Sequence, residues 1–192
     1  MDRLILTAAA LIALAAPLAP AQTSTWTADP AHSDVSFSIS HMSVSTVRGH
    51  FNVTATINMN DADIARSTVN ATIDASSIDT GESGRDTDLI GPAWFDTAHF
   101  KTAAFTSTSV SKSGNHLTVN GNLTLHGVTK PVVLDAEGPT GPITGMDHKP
   151  HAGFTATTTI KRSDFGIGSN FPAAMVGDQV KLEIDLEVIR QN

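Results

Sequence analysis

Two short segments and a set of histidines hold the side chains that could do chemistry in this sequence. Arg85, Asp86 and Asp88 fall together in "GRDTDL", and Arg162 and Asp164 in "KRSDFG". In each, the cation could meet a phosphate or carbonyl oxygen on a ligand head group, or it could pair with the neighbouring carboxylate. Asp86 and Asp88 could also do acid–base work, although two exposed carboxylates equally suit a solvated turn. His148 and His151 lie three apart in "DHKPH" beside Asp147, while His32, His41 and His50 are spaced by nine, which gives them no common face on a strand. A metal centre needs three or four converging ligands, so these histidines read as surface or strand-end residues and no metal site is expected. The chain has no G-x-S-x-G elbow and no Walker loop, and "GIGSN" lacks the strand–turn–helix setting of a dinucleotide fingerprint. No catalytic residue stands out, and the expectation is a protein that is not an enzyme. The N-x-T triplets at Asn52, Asn70 and Asn122 fall in Thr-rich strands and read as coincidence.

The elements that must position these groups are strands. In "DVSFSISHMS", Val35, Phe37 and Ile39 alternate with polar residues; "QVKLEIDLEVIR" puts Val180, Leu182, Ile184, Leu186 and Val188 on one side and four charged residues on the other. Period-two alternation means a strand with one dry and one wet face. Eight such strands are predicted near 34–42, 50–59, 67–76, 104–111, 116–125, 130–138, 152–161 and 178–190. Clean alternation favours antiparallel pairing, and closing eight one-sided strands into a barrel removes their sticky edges; a two-sheet sandwich is the alternative. "KSGN" (112–115) and "HGVTKP" (126–131) read as connections, and several short connections favour an up-and-down order. Three segments break the rhythm. Residues 76–102 concentrate Trp94, Phe95 and Phe100, with Ser83 or Thr80 capping one or two helical turns through Arg85 to Ile90 that Gly91-Pro92 ends. Residues 140–150 read as a Gly- and Pro-rich loop, and 162–178 as a cover for one end of the barrel.

Composition narrows the setting. "MDRLILTAAALIALAAPLAPA" has the layout of a secretory signal peptide, with Ala19 and Ala21 as an A-x-A cleavage site and a mature start near Gln22. The domain then runs over 22–192. The chain has no cysteine, which removes disulfides and thiol chemistry; an exported chain without disulfides suits a bacterial periplasm. A net charge of −7 argues against nucleic acid as partner and against electrostatic docking onto anionic lipid.

Four motifs in order resemble the polyisoprenoid-binding YceI-like family: "DPAHSDVSFSISHMSVSTVRGHF", "GRDTDLIGPAWFDTAHFKTAAFTST", "GNLTLHGVTKPVVL", and "FTATTTIKRSDFGIG" followed by "VKLEIDLEV". The resemblance runs from about Thr25 to Ile189. It implies an all-β, eight-stranded antiparallel lipocalin-like barrel with a short helical or loop insertion between the third and fourth strands. It also implies a long isoprenoid in the lumen, such as a polyprenyl chain or quinone tail, and a commonly periplasmic protein often linked to stress responses. The sequence departs from the family pattern at Asp88, which stands where R-D-x-H-L has histidine, and at Ala103-Ala104, where a proline usually precedes the Phe105 position. The first departure puts any inherited head-group role of that position in doubt.

The dry faces could enclose a solid core, since an eight-stranded barrel is just wide enough for its own side chains to fill, or one small ligand. Small inward residues (Ala55, Ala71, Ala75, Gly121, Ala136, Ala156) leave room for the second. A membrane-embedded barrel would instead turn its apolar band outward, usually with aromatic girdles, and this chain has no Tyr and two Trp. Candidate ligand-lining residues are Phe37, Ile39, Phe51, Val53, Leu123, Phe154, Ile160, Leu182 and Ile184, with Trp94, Phe95, Phe100 and Phe165 as a lid or mouth and Arg85 and Arg162 as head-group contacts. The expected function is an exported binding protein for an isoprenoid lipid or isoprenoid quinone, with no catalytic cofactor and with transient membrane contact. Two other readings stay open: an enzyme acting on a lipid head group at the mouth through Arg85, Asp86 and Asp88, and a filled, structural or stress-response barrel.

Overall fold

The computed structural model describes residues 23–191, so the expected signal peptide and its cleavage site lie outside the described residues. Nine strands follow in order: β1 (Thr23–Ala28), β2 (Asp34–His41), β3 (Ser45–Asn60), β4 (Thr68–Asp74), β5 (Thr102–Ser113), β6 (His116–Leu125), β7 (Val128–Thr144), β8 (Pro150–Lys161) and β9 (Val176–Arg190). All pairings are antiparallel, and from β2 to β9 each strand pairs with the next. The sheet closes because β9 returns to β2, placing Val35 opposite Ile184, Phe37 opposite Leu182 and Ile39 opposite Val180. This is the eight-stranded, up-and-down antiparallel barrel that the alternation predicts.

The ninth strand is a correction. β1 pairs with β3 and with β9, so β1 and β2 follow one another along a single stave, interrupted by the turn at 29–33. Its signal was short: "TSTWTA" contributes one large apolar residue, Trp26. That residue is buried (4% exposed) and packs with Ile57, Met59, Ala152 and Val188. Its indole N–H donates to Ser24 Oγ at 2.8 Å, which satisfies the polar atom that burial would otherwise leave unpaired. This cluster plugs one end of the barrel.

The predicted loop over 140–150 is also corrected. β7 continues to Thr144 and β8 begins at Pro150, leaving a connection of 145–149. Prolines cannot donate to a ladder and are tolerated at bulges. Here the register shifts between Glu137 and Thr140 and again between Thr140 and Ile143, and Gly138 and Gly141 adopt positive φ (132° and 97°) beside Pro139 and Pro142. At 126–131, the turn is confined to His126 and Gly127, both with positive φ, and Val128 already belongs to the strand.

The insertion lies between β4 and β5 and carries one helix, α1 (Ser83–Ile90). It ends at Gly91 as predicted, but its N-cap is Glu82, whose carboxylate accepts from the N–H groups of Gly84 and Arg85. Neither Ser83 nor Thr80 takes that role, because Thr80's hydroxyl is engaged by Asp86 and Arg85. His50 and Asp79 exchange backbone hydrogen bonds of 3.0 and 3.1 Å, fastening the insertion to β3. Replacing Trp26 by Ala removes the plug between β1, β3 and β9. The expected loss is about 3–5 kcal/mol, as for buried Trp to Ala elsewhere, read as a lower urea midpoint.

Candidate functional site

The barrel is packed at the β1 end and hollow at the other. The strand ends at His41 and Leu125, the 75–101 insertion and the 162–175 segment surround a cavity of about 760 Å³. It is lined by alternate residues of the strands, among them Val35, Phe37, Ile39, Phe51, Leu123 and Leu182. A second cavity of about 130 Å³ lies deeper, against Val53, Phe105, Phe154 and Ile184. Val35, Ile73, Leu123 and Leu182 line both, so the two are successive compartments of one apolar lumen. Ile57 and Met59 of the Trp26 cluster line the lower cavity from the β1 end.

The predicted lining residues divide along this axis. Phe37, Ile39, Phe51, Leu123, Ile160 and Leu182 line the upper compartment, with Trp94 and Phe95 from the insertion. Val53, Phe154 and Ile184 line the lower one. At the mouth, Phe95 meets Phe51 edge-on at 5.5 Å and Trp94 stacks on Phe171 at 4.5 Å. Two aromatic residues are not brought to the lumen. Phe100 packs on the His126 ring at 4.6 Å, and Phe165 is 1% exposed in a core cluster with Leu123, Ile160 and Ile167. Both fasten the covering segments from behind: the Nδ1–H of His126 donates to the Phe165 carbonyl at 3.0 Å. Leu89, Phe171 and Met175 join the lining from segments without periodicity, so only Leu89's position on α1, four residues after Arg85, could have revealed any of them.

The two arginines have different fates. Arg162 is buried (5% exposed), and all five of its N–H groups donate to backbone carbonyls: Nε to Gly177, Nη1 to Ile167 and Gly168, Nη2 to Phe171 and Val176. A guanidinium has five donors, so Arg162 has none left for a head group; it also makes no ion pair with Asp164. It organises the 162–177 segment around itself, with Trp94's ring 6.0 Å away. Ser163 binds Asp178 through its N–H and hydroxyl, and the hydroxyl, more than the nearby Arg162 charge, holds the Asp178 carboxyl below its ordinary range.

Arg85 is half-buried on α1 and lines the mouth with Asp88, Leu89 and Glu82. Its Nε donates to Thr80 Oγ1 (2.8 Å) and its Nη2 to the Thr80 carbonyl (3.0 Å), which orients the guanidinium and leaves donors over. Asp86 accepts from the Thr80 N–H and hydroxyl, so its carboxylate supports Arg85 through Thr80 and does not face the lumen. The cation, the Asp88 carboxylate and the apolar wall below them can hold a molecule with a polar end and a long apolar tail.

At the packed end, three segments meet in an ion network. His151 Nδ1 donates to Glu187 at 2.6 Å and Nε2 to Asp147 at 2.9 Å. With both ring nitrogens donating, the ring is an imidazolium, and the Asp147 bond, followed by the Glu187 bond, raises its pKa. His32 bonds Asp29 at 2.8 Å and lies 3.9 Å from Glu187; its pKa is raised by Asp29 first and the Glu187 charge second. Asp29 is held low mainly by His32, and Asp147 mainly by the Lys149 N–H and then His151. Asp29, His32 and Glu187 bring ligand atoms within 4.8 Å of one another and could hold a metal ion, but the same atoms are engaged with each other as an ion network. His148, next to Asp147 in sequence, takes no part in this network.

The YceI-like domain family matches residues 26–188. The chain belongs to this family. A YceI protein of Salmonella newport is 38% identical over 83% of each chain, and a UPF0312 protein of Shewanella putrefaciens 35% identical over the full length of both. Among solved structures, Burkholderia cenocepacia BcnA superposes with a TM-score of 0.74 at 26% identity, covering 83% of this chain and 98% of its own. The Campylobacter jejuni YceI protein gives 0.71 at 30%, covering 80% and 90%. A polyisoprenoid-binding domain from Saccharophagus degradans gives 0.62 at 17%, covering 86% and 98%, and shares the fold. The YceI-like barrel assigned from the motifs is therefore the fold and the family of this chain.

Two outcomes follow from these contacts. Lys in place of Arg162 offers one donor atom where five carbonyls need partners; a loss of at least about 2 kcal/mol in stability is expected, with hydrogen-exchange protection lost across 166–177. The histidine contribution at the packed end is fully present below the ordinary histidine value of 6.5 and is lost as pH rises through the raised values. The aspartate contribution is present above 3.8 and lost as pH falls through the lowered values. The melting-temperature advantage of the wild type over His151→Gln should be largest between about pH 4 and 6.5 and shrink at higher pH.

Proposed function

We propose that this YceI-like protein is a non-enzymatic carrier or holder of an isoprenoid lipid, a polyprenyl chain or quinone tail, in the barrel lumen. The observation that carries this reading is the apolar cavity of about 760 Å³ that continues into the lower compartment and has Arg85 at its mouth. Its volume lies within the roughly 300–1,000 Å³ of small-molecule sites, and an apolar wall with few polar groups, gathered at one end, matches a ligand with one head and one long tail. Burial of the tail drives binding at about 25 cal/mol per Å² removed from water, and Arg85 offers its remaining donors to a head-group oxygen. The polyisoprenoid-binding domain with the same fold supports the ligand class. Export through a cleaved leader, with the mature chain starting near Gln22, completes the reading: an isoprenoid tail needs shielding to cross an aqueous periplasm.

The experiment is native mass spectrometry of the mature protein, purified from a bacterial periplasm without detergent, followed by titration with polyprenols and quinones. A stoichiometric adduct of isoprenoid mass, or saturable binding of added ligand, is expected. A clean mass together with no binding of any added isoprenoid overturns the reading in favour of a ligand-free barrel. Replacing Arg85 by Ala should weaken a head-bearing isoprenoid by about tenfold, the worth of one charge-assisted hydrogen bond, and leave a bare isoprenoid hydrocarbon unaffected. Turnover of a head group that disappears in the same variant would favour an enzyme.

A further inference from the structure

We propose that the β2–β3 turn and the segment leading into β9 form a lip that docks the barrel mouth on a phospholipid bilayer. The proposal rests on the reading of the lumen as a lipid site and names the surface with which that site exchanges its ligand. Met42 and Val44 in the turn are 54% and 83% exposed, and Met175 is 51% exposed. The Met42 N–H donates to the Met175 carbonyl at 2.7 Å, so the three belong to one surface. Met175 and its neighbours Phe171 and Val176 also line the upper compartment. The exposed apolar surface therefore runs without a break into the lumen wall, along the course a tail would follow on entering or leaving.

The backbone of the turn argues that these side chains are there for contact. Met42 and Ser43 have φ of 51° and 57°, and the Val44 N–H closes the turn on the His41 carbonyl at 3.1 Å. A β-turn whose two central residues both have positive φ favours Asn-Gly there. Met42 is the one apolar non-glycine residue at positive φ among the described residues, and it is exposed. Folding has no use for methionine at this position, whereas a lipid surface does.

Charge agrees with the choice of a bilayer. In a chain of net charge −7, no Asp or Glu occurs over 35–60 or over 165–177, the two stretches that build the lip. The carboxylates that do line the mouth, Glu82 and Asp88, belong to α1 and its N-cap. The lip itself therefore meets phospholipid without a carboxylate of its own to desolvate. Ile143 and Met146, also exposed, lie at the packed end away from the lumen and share none of these features.

The test uses the mature protein with phosphatidylcholine–phosphatidylethanolamine vesicles, in co-sedimentation and in transfer of a polyprenol from those vesicles. Met42→Asn and Val44→Asp alter residues outside the lumen lining. Both should weaken vesicle association by about tenfold and slow transfer from vesicles, while still binding polyprenol presented in detergent. Met42→Asn should melt at or above the wild-type temperature, because asparagine suits the turn, so loss of docking is separated from loss of fold. Variants that associate and transfer like the wild type overturn the lip and leave the lumen reading standing. A wild type that binds no polyprenol in detergent overturns the lumen reading and the lip with it. A wild type that ignores vesicles, but whose dimer dissociates on Val44→Asp, overturns the lip in favour of contact with a second copy of the chain.

Discussion

Closure of the sheet at β2 and β9 is the constraint on which the rest of the molecule depends. An eight-stave barrel encloses a section barely wide enough for its own side chains, so what faces inward at each level decides whether that level is solid or hollow. At the β1 end, Trp26, Ile57, Met59 and Val188 close the section. Higher up, Ala103 and Ala75 face the lumen between larger neighbours, and the section opens. The break between β1 and β2 belongs to the same design, because it lets a short strand carry an indole into the closed end while β2 continues as wall.

Once the barrel is open at one end, something irregular must shape the opening, and irregular backbone near an apolar space needs partners for its polar groups. Arg162 supplies them for the segment before β9, with five donors for five carbonyls. The charge is thus used to hold a loop, and the Asp178 carboxylate stands close by, fastened to Ser163. Among the described residues no buried side-chain nitrogen or oxygen lacks a partner, which is the condition under which a buried guanidinium is tolerated. On the opposite rim, Thr80 turns Arg85 toward the mouth and connects it to Asp86. The two arginines look alike in sequence and divide the work, one building the mouth and the other lining it.

The two ends of the barrel also differ electrostatically. The packed end concentrates a histidine–carboxylate network that fastens the β1–β2 turn and the β7–β8 connection to Glu187. At the open end, no Asp or Glu occurs over 35–60 or over 165–177. A strongly acidic chain can in this way remain well solvated and still present one neutral, apolar rim beside its cavity.

The sequence by itself determined the strands, their antiparallel order and the inward faces, because period-two alternation is a local property that each strand carries in its own residues. The β6 bounds, 116–125, were legible to the residue, and so were nine of the lining aromatic and aliphatic positions on the strands. Its family motifs were legible for the same reason, as short contiguous runs. Tertiary structure alone decided the rest. β1 has one large apolar residue and becomes a strand only because β3 and β9 offer it both edges. Residues 140–144 stay in the sheet because neighbouring strands absorb two bulges that Gly-Pro composition would otherwise suggest is a loop. Asp29, His32, Asp147, His151 and Glu187 come together from three segments, and no spacing within any one of them signals it. The roles of Arg85 and Arg162, and the placement of Phe100 and Phe165 behind the wall, depended on which partners a long-range fold delivered. Contacts between distant segments are set by barrel closure, and closure is a property of the whole sheet.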